Sequence, residues 1–180
     1  MKINSALLIA GFLSASFLFS CKKPLDELSF SKDYASANFV ADTTSFVGVR
    51  DLGSFTTNTE ILSTLEADGF ELSNLNNVVV NKITISNVNS SQNLNYFRSL
   101  QMKISNSLGT ENLAIAEIQL PEETTQTSVE LVSKGIELKE IFKDGQIQFS
   151  LTSETDLPIL PNPVPLNVTL SFSVKAALGN

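Results

Sequence analysis

No histidine and no tryptophan occur in this chain of 180 residues, and it holds one cysteine, Cys21. The missing imidazoles and thiols leave nothing from which to build a zinc, copper, iron or iron–sulfur site of the His/Cys kind. They also remove Ser-His-Asp and Cys-His catalysis and any histidine general base. A single cysteine closes no disulfide within the chain, although an exported location would allow one. Stability must come from the core. Tyr34 and Tyr96 are the only tyrosines, so the flat, partly polar rings that suit saccharide stacking are scarce. Basic side chains number 12 against 19 acidic ones, a net charge of −7 without a basic run. Phosphate contacts need clustered Lys and Arg, which sets nucleic acid aside as a partner.

A long apolar run occurs only at the start. Lys2 precedes Ala6–Phe19, which is broken only by Gly11, Ser14 and Ser16 and closes on Leu18-Phe19-Ser20-Cys21. A positive end followed by a short apolar run is the order of parts in a secretory signal. As a helix the 14 residues would span about 21 Å against a hydrocarbon core of about 30 Å, too short for a comfortable permanent span. With Leu18 three before the cysteine and Ser20 just before it, this segment resembles the lipobox of bacterial lipoprotein precursors. The resemblance covers residues 1–21 and no more. It implies removal of Met1–Ser20, a thioether-linked diacylglycerol on Cys21, and a third chain on the new amino terminus. Each buried methylene contributes about 0.8 kcal/mol, and two or more chains suffice for stable anchoring. In the sorting rule of such lipoproteins an aspartate after the cysteine retains the protein in the inner membrane. Position 22 is lysine, so the expectation is a cell-envelope protein anchored in the outer membrane. Lys22 and Lys23 are placed to touch head groups.

Without residues 1–20, which carry Lys2 and no acid, 11 basic side chains face 19 acidic ones, a net charge of −8. The remaining 160 residues suit one domain with a real core. Residues 21–36 read as the acylated cysteine and a flexible tether, because Pro24–Ser36 is polar and shows little periodicity. Residues 37–180 read as a single domain. Phe39-Val40 and Phe46–Val49 are short candidate strands. Thr57-Asn58-Thr59-Glu60 has the form of a capping box, which predicts a short helix over Asn58–Ala67 ending at Asp68-Gly69.

From Val78 the period becomes two. Val78–Val88, Leu100–Ser105, Leu113–Leu120, Ser128–Val132 and Ile147–Leu151 read as half-buried strands, with Asn106–Thr110 a hairpin connection. Gly135–Lys143 has helical spacing. Four of the six prolines fall in Asp156–Pro165, which predicts an extended surface or edge segment. Leu166, Val168, Leu170, Phe172, Val174 and Ala176 then alternate with Asn167, Thr169, Ser171, Ser173 and Lys175, the clearest strand of all. These strands and two short helical insertions predict an all-β fold, an antiparallel β-sandwich in the immunoglobulin-like or jelly-roll range.

For chemistry the chain offers carboxylates. A glycan hydrolase would need two acids across the scissile bond, and Glu122 with Glu123 or Glu154 with Asp156 are near in sequence. No acid sits inside an apolar run where burial would raise its pKa, so solvated loop acids are the expected reading and no enzyme is predicted. Glu154-Thr155-Asp156 and Asp42-Thr43-Thr44 offer oxygens to calcium, again against a plain acidic loop. Tyr96-Phe97-Arg98 is the one aromatic and basic cluster placed to touch a ligand or partner, or else to pack as a loop on the sandwich edge. The polar face of the last strand, Asn167 to Ser173, reads as solvated.

The reading that emerges is a lipid-anchored envelope protein whose non-enzymatic module binds or supports, with an envelope protein or glycan as partner and no cofactor. The alternatives are a carboxylate-dependent glycan hydrolase and a calcium-assisted adhesion or glycan-binding module. Labelled palmitate fed to expressing cells should enter the wild-type protein and be lost in Cys21→Ser. Label that persists in the variant would remove the anchor.

Overall fold

The computed structural model describes residues 26–42, 47–89, 92–109, 111–155 and 163–178. Cys21 and the signal lie outside them, as do Thr43, Thr44, Phe46 and Asp156. Among the described residues nine strands run in order: β1 Glu27–Ala41, β2 Gly48–Asn58, β3 Leu75–Asn87, β4 Ser99–Asn106, β5 Asn112–Gln119, β6 Ser128–Glu130, β7 Val132–Ser133, β8 Gln146–Thr155 and β9 Val164–Ala177. Two short helices, α1 Ile61–Ala67 and α2 Lys139–Lys143, and a 3-10 turn at Leu72–Asn74 fill two connections.

The strands form two sheets, β1-β9-β3-β6 and β2-β8-β4-β5-β7, and every pairing is antiparallel. The partners are nested: β1 with β9, β2 with β8, β3 with β6, β4 with β5. An immunoglobulin-like sandwich puts its first strand beside its second, whereas here β1 and β2 fall in different sheets. The nesting makes the sandwich a jelly roll.

Alternation decides which side chains enter the space between the sheets. In β9 Leu166, Val168, Leu170, Phe172, Val174 and Ala176 are all buried, and the Ser/Thr/Asn positions between them face out. Ile147, Phe149 and Leu151 of β8 and Leu100, Met102 and Ile104 of β4 close on them from the other sheet. Aromatic rings run through this layer. Phe39 meets Phe55 at 5.9 Å, Phe55 meets Phe149 at 5.1 Å, and Phe149 and Phe172 both meet Tyr34, each at 5.7–5.8 Å from its neighbour. Phe142 of α2 ends the seam, 5.2 Å from Phe172. Tilted and edge-on rings at these separations add to their area burial.

Several expectations are corrected. The segment read as a tether, Pro24–Ser36, is strand from Glu27 on, so the sandwich starts ten residues before residue 37. Leu28, Phe30, Lys32 and Tyr34 form its inward series, and the lysine hid the period. Its ammonium lies 5.5 Å from the Tyr34 ring centroid and escapes to Glu60 Oε2 at 2.7 Å, as an amphipathic stem allows. The capping box at Thr57–Glu60 is not formed. Thr57 and Asn58 belong to β2, α1 starts at Ile61, and Glu60 enters it in the left-handed region at φ 49° without a side-chain cap. A reciprocal cap does occur further on, between Glu71 and Asn74. Residues 135–138 are not helical, and α2 spans Lys139–Lys143 only. The single strand expected over Ser128–Val132 is two, because buried Leu131 carries the chain from β3 in one sheet to β5 in the other. Pro165 lies in central β9 rather than at an edge; near the strand start it needs no donor, and its carbonyl accepts Val88 N–H at 2.9 Å.

Tyr34 locks the node where these elements meet. Its hydroxyl donates to the Thr59 carbonyl at 3.0 Å, and Thr59 N–H bonds Gly145 at 2.9 Å. Burial, and secondarily the Glu60 carboxylate, hold its phenol well above the usual tyrosine range. A raised acid pKa means that the folded state keeps the proton after the unfolded chain, near pH 10, has lost it. Stability from this group is therefore complete below about pH 10 and declines above it by up to about 1.4 kcal/mol per pH unit. Tyr34→Phe should cost about 1 kcal/mol at neutral pH, the worth of one buried hydrogen bond. It should also flatten the alkaline decline in urea-midpoint measurements; an unchanged slope would refute the assignment.

Candidate functional site

β1 and β9 run side by side from Glu27↔Ala177 to Ala41↔Val164. The chain therefore enters at one pole of the sandwich, with α1, α2 and the β4–β5 turn at that same end. At about 3.3 Å per residue the 15 residues of β1 reach about 45 Å to the opposite pole. At that end lie the end of β1, the described parts of the β3–β4 connection, the segment after β5 and the end of β8, and with them the described candidates Asp42, Tyr96, Arg98, Glu122, Glu123 and Glu154.

The β3–β4 connection is stitched down on every side. Asn89 N–H bonds Asn87 Oδ1 at 2.9 Å and Gln92 N–H bonds the Asn89 carbonyl at 2.8 Å. Leu94 N–H bonds Gln126 at 2.8 Å, and fully buried Leu94 and Phe97 plug the sandwich mouth. Tyr96, half-buried between those plugs in sequence, packs against the core. Arg98 N–H donates to the Glu154 carbonyl at 2.7 Å, and the Arg98 carbonyl accepts Leu120 N–H at 2.8 Å. Two candidates more than fifty residues apart, Arg98 and Glu154, are thus cross-strand neighbours. The Glu154 carboxylate faces the outer side and accepts Ser99 Oγ at 3.4 Å.

The other described candidate acids stand on separate segments of the chain. Glu122 and Glu123 are exposed in the turn closed by Thr124 N–H on the Pro121 carbonyl at 3.2 Å, on a different loop from Glu154. Asp42 contributes its carbonyl to Arg50 at 3.1 Å. Among the described residues no three His, Cys, Asp or Glu side chains are grouped to hold a metal, and of the pair Glu154 and Asp156 only the first is described. Elsewhere one cleft of about 380 Å³ along β5 and β7 is lined by a single acid, Glu117. That carboxylate is held below the usual range by hydrogen bonds from Lys134 and Gln101, at 2.7 and 3.0 Å.

Sequence reasoning missed the polar end of the core. Along β8 the inward series Ile147, Phe149, Leu151 continues as Ser153 and Thr155, both buried, and Asn87 is buried opposite them. Arg50 is the cross-strand partner of Ser153. The signal was present, since the period of two simply runs on with hydroxyls in apolar positions. The dry core thus gives way to polar side chains before the loops begin.

Comparison with known proteins adds little. No family model matches the chain, and no curated protein aligns with it significantly. Solved structures match it only at TM-scores under 0.5. They include a structure of Desmodium yellow mottle tymovirus at 10% identity, covering 86% of this chain and 90% of that one with a TM-score of 0.33. The Cocksfoot mottle virus particle covers 99% and 97% at 8% identity and a TM-score of 0.31. A carbohydrate-binding module of the β-sandwich superfamily covers 78% and 54% at 10% identity and a TM-score of 0.34. At such values the likeness says nothing of activity, and the nested strand order carries the fold.

Ser153 is 2% exposed, and its hydroxyl has no hydrogen-bond partner among the described residues. Burying such a group costs about 1–3 kcal/mol. Ser153→Ala should therefore leave stability unchanged or raise it by about 1 kcal/mol in chemical denaturation. A clear loss would mean that the hydroxyl is bonded in solution.

Proposed function

We propose that this chain is a lipid-anchored protein of the cell envelope, in the outer membrane where the cell has one, and that its jelly roll is a non-enzymatic module for binding or structural support. The observation that carries this reading is the separation of the two poles. The chain reaches β1 within six residues of Cys21, at most about 20 Å of extended backbone. The described loop surface around Tyr96 and Arg98 lies at the far end of the strands. A partner, an envelope protein or a glycan, meets the loop surface around Tyr96 and Arg98. Loops held by a rigid sandwich are where recognition usually sits.

A binding rather than a hydrolytic role is supported, among the described residues, by the placement of the candidate acids on separate segments. Glu122 and Glu123 are solvated in their turn, and Glu154 stands on another strand with its carboxylate turned to Ser99. A photoreactive residue placed at Tyr96 should crosslink a defined envelope component in intact cells. One at Leu108, exposed at the opposite pole, should not. Equal crosslinking from both positions, or none from position 96, would sink the proposed partner surface.

A further inference from the structure

Among the described residues, three large apolar side chains stay exposed at the end where the chain enters: Leu62, Leu108 and Leu178. Leu178 stands beside the entry itself, its N–H bonded to the Asp26 carbonyl at 3.1 Å. Leu62 lies on the uncovered side of α1, whose buried side is Ile61 and Leu65. Leu108 is the most exposed of them, at 80%, in the turn between β4 and β5. Gly109, in the left-handed region at φ 68°, closes that turn by donating its N–H to the Asn106 carbonyl at 3.0 Å. A side chain added at 109 would meet nothing within 4 Å, so the tip stands clear of the sandwich. Turn chemistry calls for polar or flexible residues at such a tip, and packing makes no use of the leucine.

Chain length decides what this end meets. Cys21 precedes Asp26 by five residues, at most about 18 Å of extended backbone. A lipid on Cys21 therefore brings this pole to the head-group layer. Charge narrows the kind of surface. Asp26, Glu27, Glu66, Asp68, Glu71 and Glu111 are exposed at this end, while Lys32 and Lys143 are each engaged by a carboxylate. An acidic rim is repelled by anionic lipid, which leaves burial of apolar side chains as the attraction.

We infer that the entry pole seats on a zwitterionic lipid surface, with Leu108 dipping into the interface and Leu62 and Leu178 beside it. The inference rests on the anchored reading, because a few leucines do not hold a free protein on a membrane. Once acyl chains hold it there, the leucines fix which way the sandwich stands, with the Tyr96 loops facing away.

The chain has no tryptophan, so Leu108→Trp places a sole reporter in the turn. Val49→Trp, at a 65% exposed position of the loop end, is its control. Both acylated full-length variants go into phosphatidylcholine vesicles, and neither exposed substitution should move the thermal midpoint. The reporter at 108 should emit further to the blue than that at 49. Brominated acyl chains should quench it about twofold, since an interfacial side chain reaches about 5–10 Å into the head-group boundary. The reporter at 49 should stay unquenched. Equal quenching at the two positions, or none at 108, overturns the contact. A blue shift at 108 without bromine quenching means that a second copy covers the turn, and overturns it as well.

Phosphatidylglycerol should weaken the quenching at low salt, and physiological salt should restore it, because exposed charges are screened beyond about 8 Å. Quenching that grows with anionic lipid would give the contact to the lysines and overturn the part assigned to Leu108. Palmitate uptake without quenching removes the contact and keeps the anchor. Quenching in a chain that takes up no palmitate removes the anchor and keeps the contact.

Discussion

A seam of tilted rings, Phe39, Phe55, Phe149, Tyr34, Phe172 and Phe142, joins the two sheets and one helix into a single dry layer. With no disulfide to restrain the unfolded chain, burial of this layer is what the other features serve. It demands that one face of every long strand be apolar, and so leaves the outer faces to Ser, Thr, Asn and scattered charge. It also explains the two helices. Ile61 and Leu65 of α1 and Ile141 and Phe142 of α2 are buried in the same core.

An open sandwich has edges, and each is managed here. β1 is interrupted between Tyr34 and Ala37, β2 between Asp51 and Ser54, where Gly53 turns at φ 113° and its N–H bonds Asp51 Oδ1 at 2.8 Å. On the other side β6 and β7 shield β3 and β5, with Leu131 crossing between the sheets. Leu138 N–H continues that cover by bonding the Val78 carbonyl at 2.8 Å. Broken or covered edges resist pairing with other chains. The outer sheet faces and the two poles remain accessible.

How legible each part was depended on the range of its interactions. β4, β8 and β9 announce themselves because every inward position is apolar and the neighbours are polar. β1 did not, because Lys32 occupies an inward position and only a distant carboxylate, Glu60, makes that tolerable. The false capping box at Thr57 has the same origin. A local pattern of four residues was overridden by pairing of Thr57 with Ile147 and of Asn58 with Gln146. The contact between Arg98 and Glu154 was beyond any local pattern, since the partners stand on strands separated by three others in the chain.

By itself the sequence determined the chemical means available: no imidazole, one thiol beside an apolar leader, and a two-residue rhythm that makes sheets. These are properties of composition and of neighbours along the chain, which the unfolded polypeptide already has. Only the tertiary structure decided that the strands nest into a jelly roll and that β1 begins at Glu27. It alone gathered the loop candidates at one pole and the exposed leucines at the other. Those outcomes turn on which strands pair, and pairing is settled by burying a common core rather than by any residue's own preference.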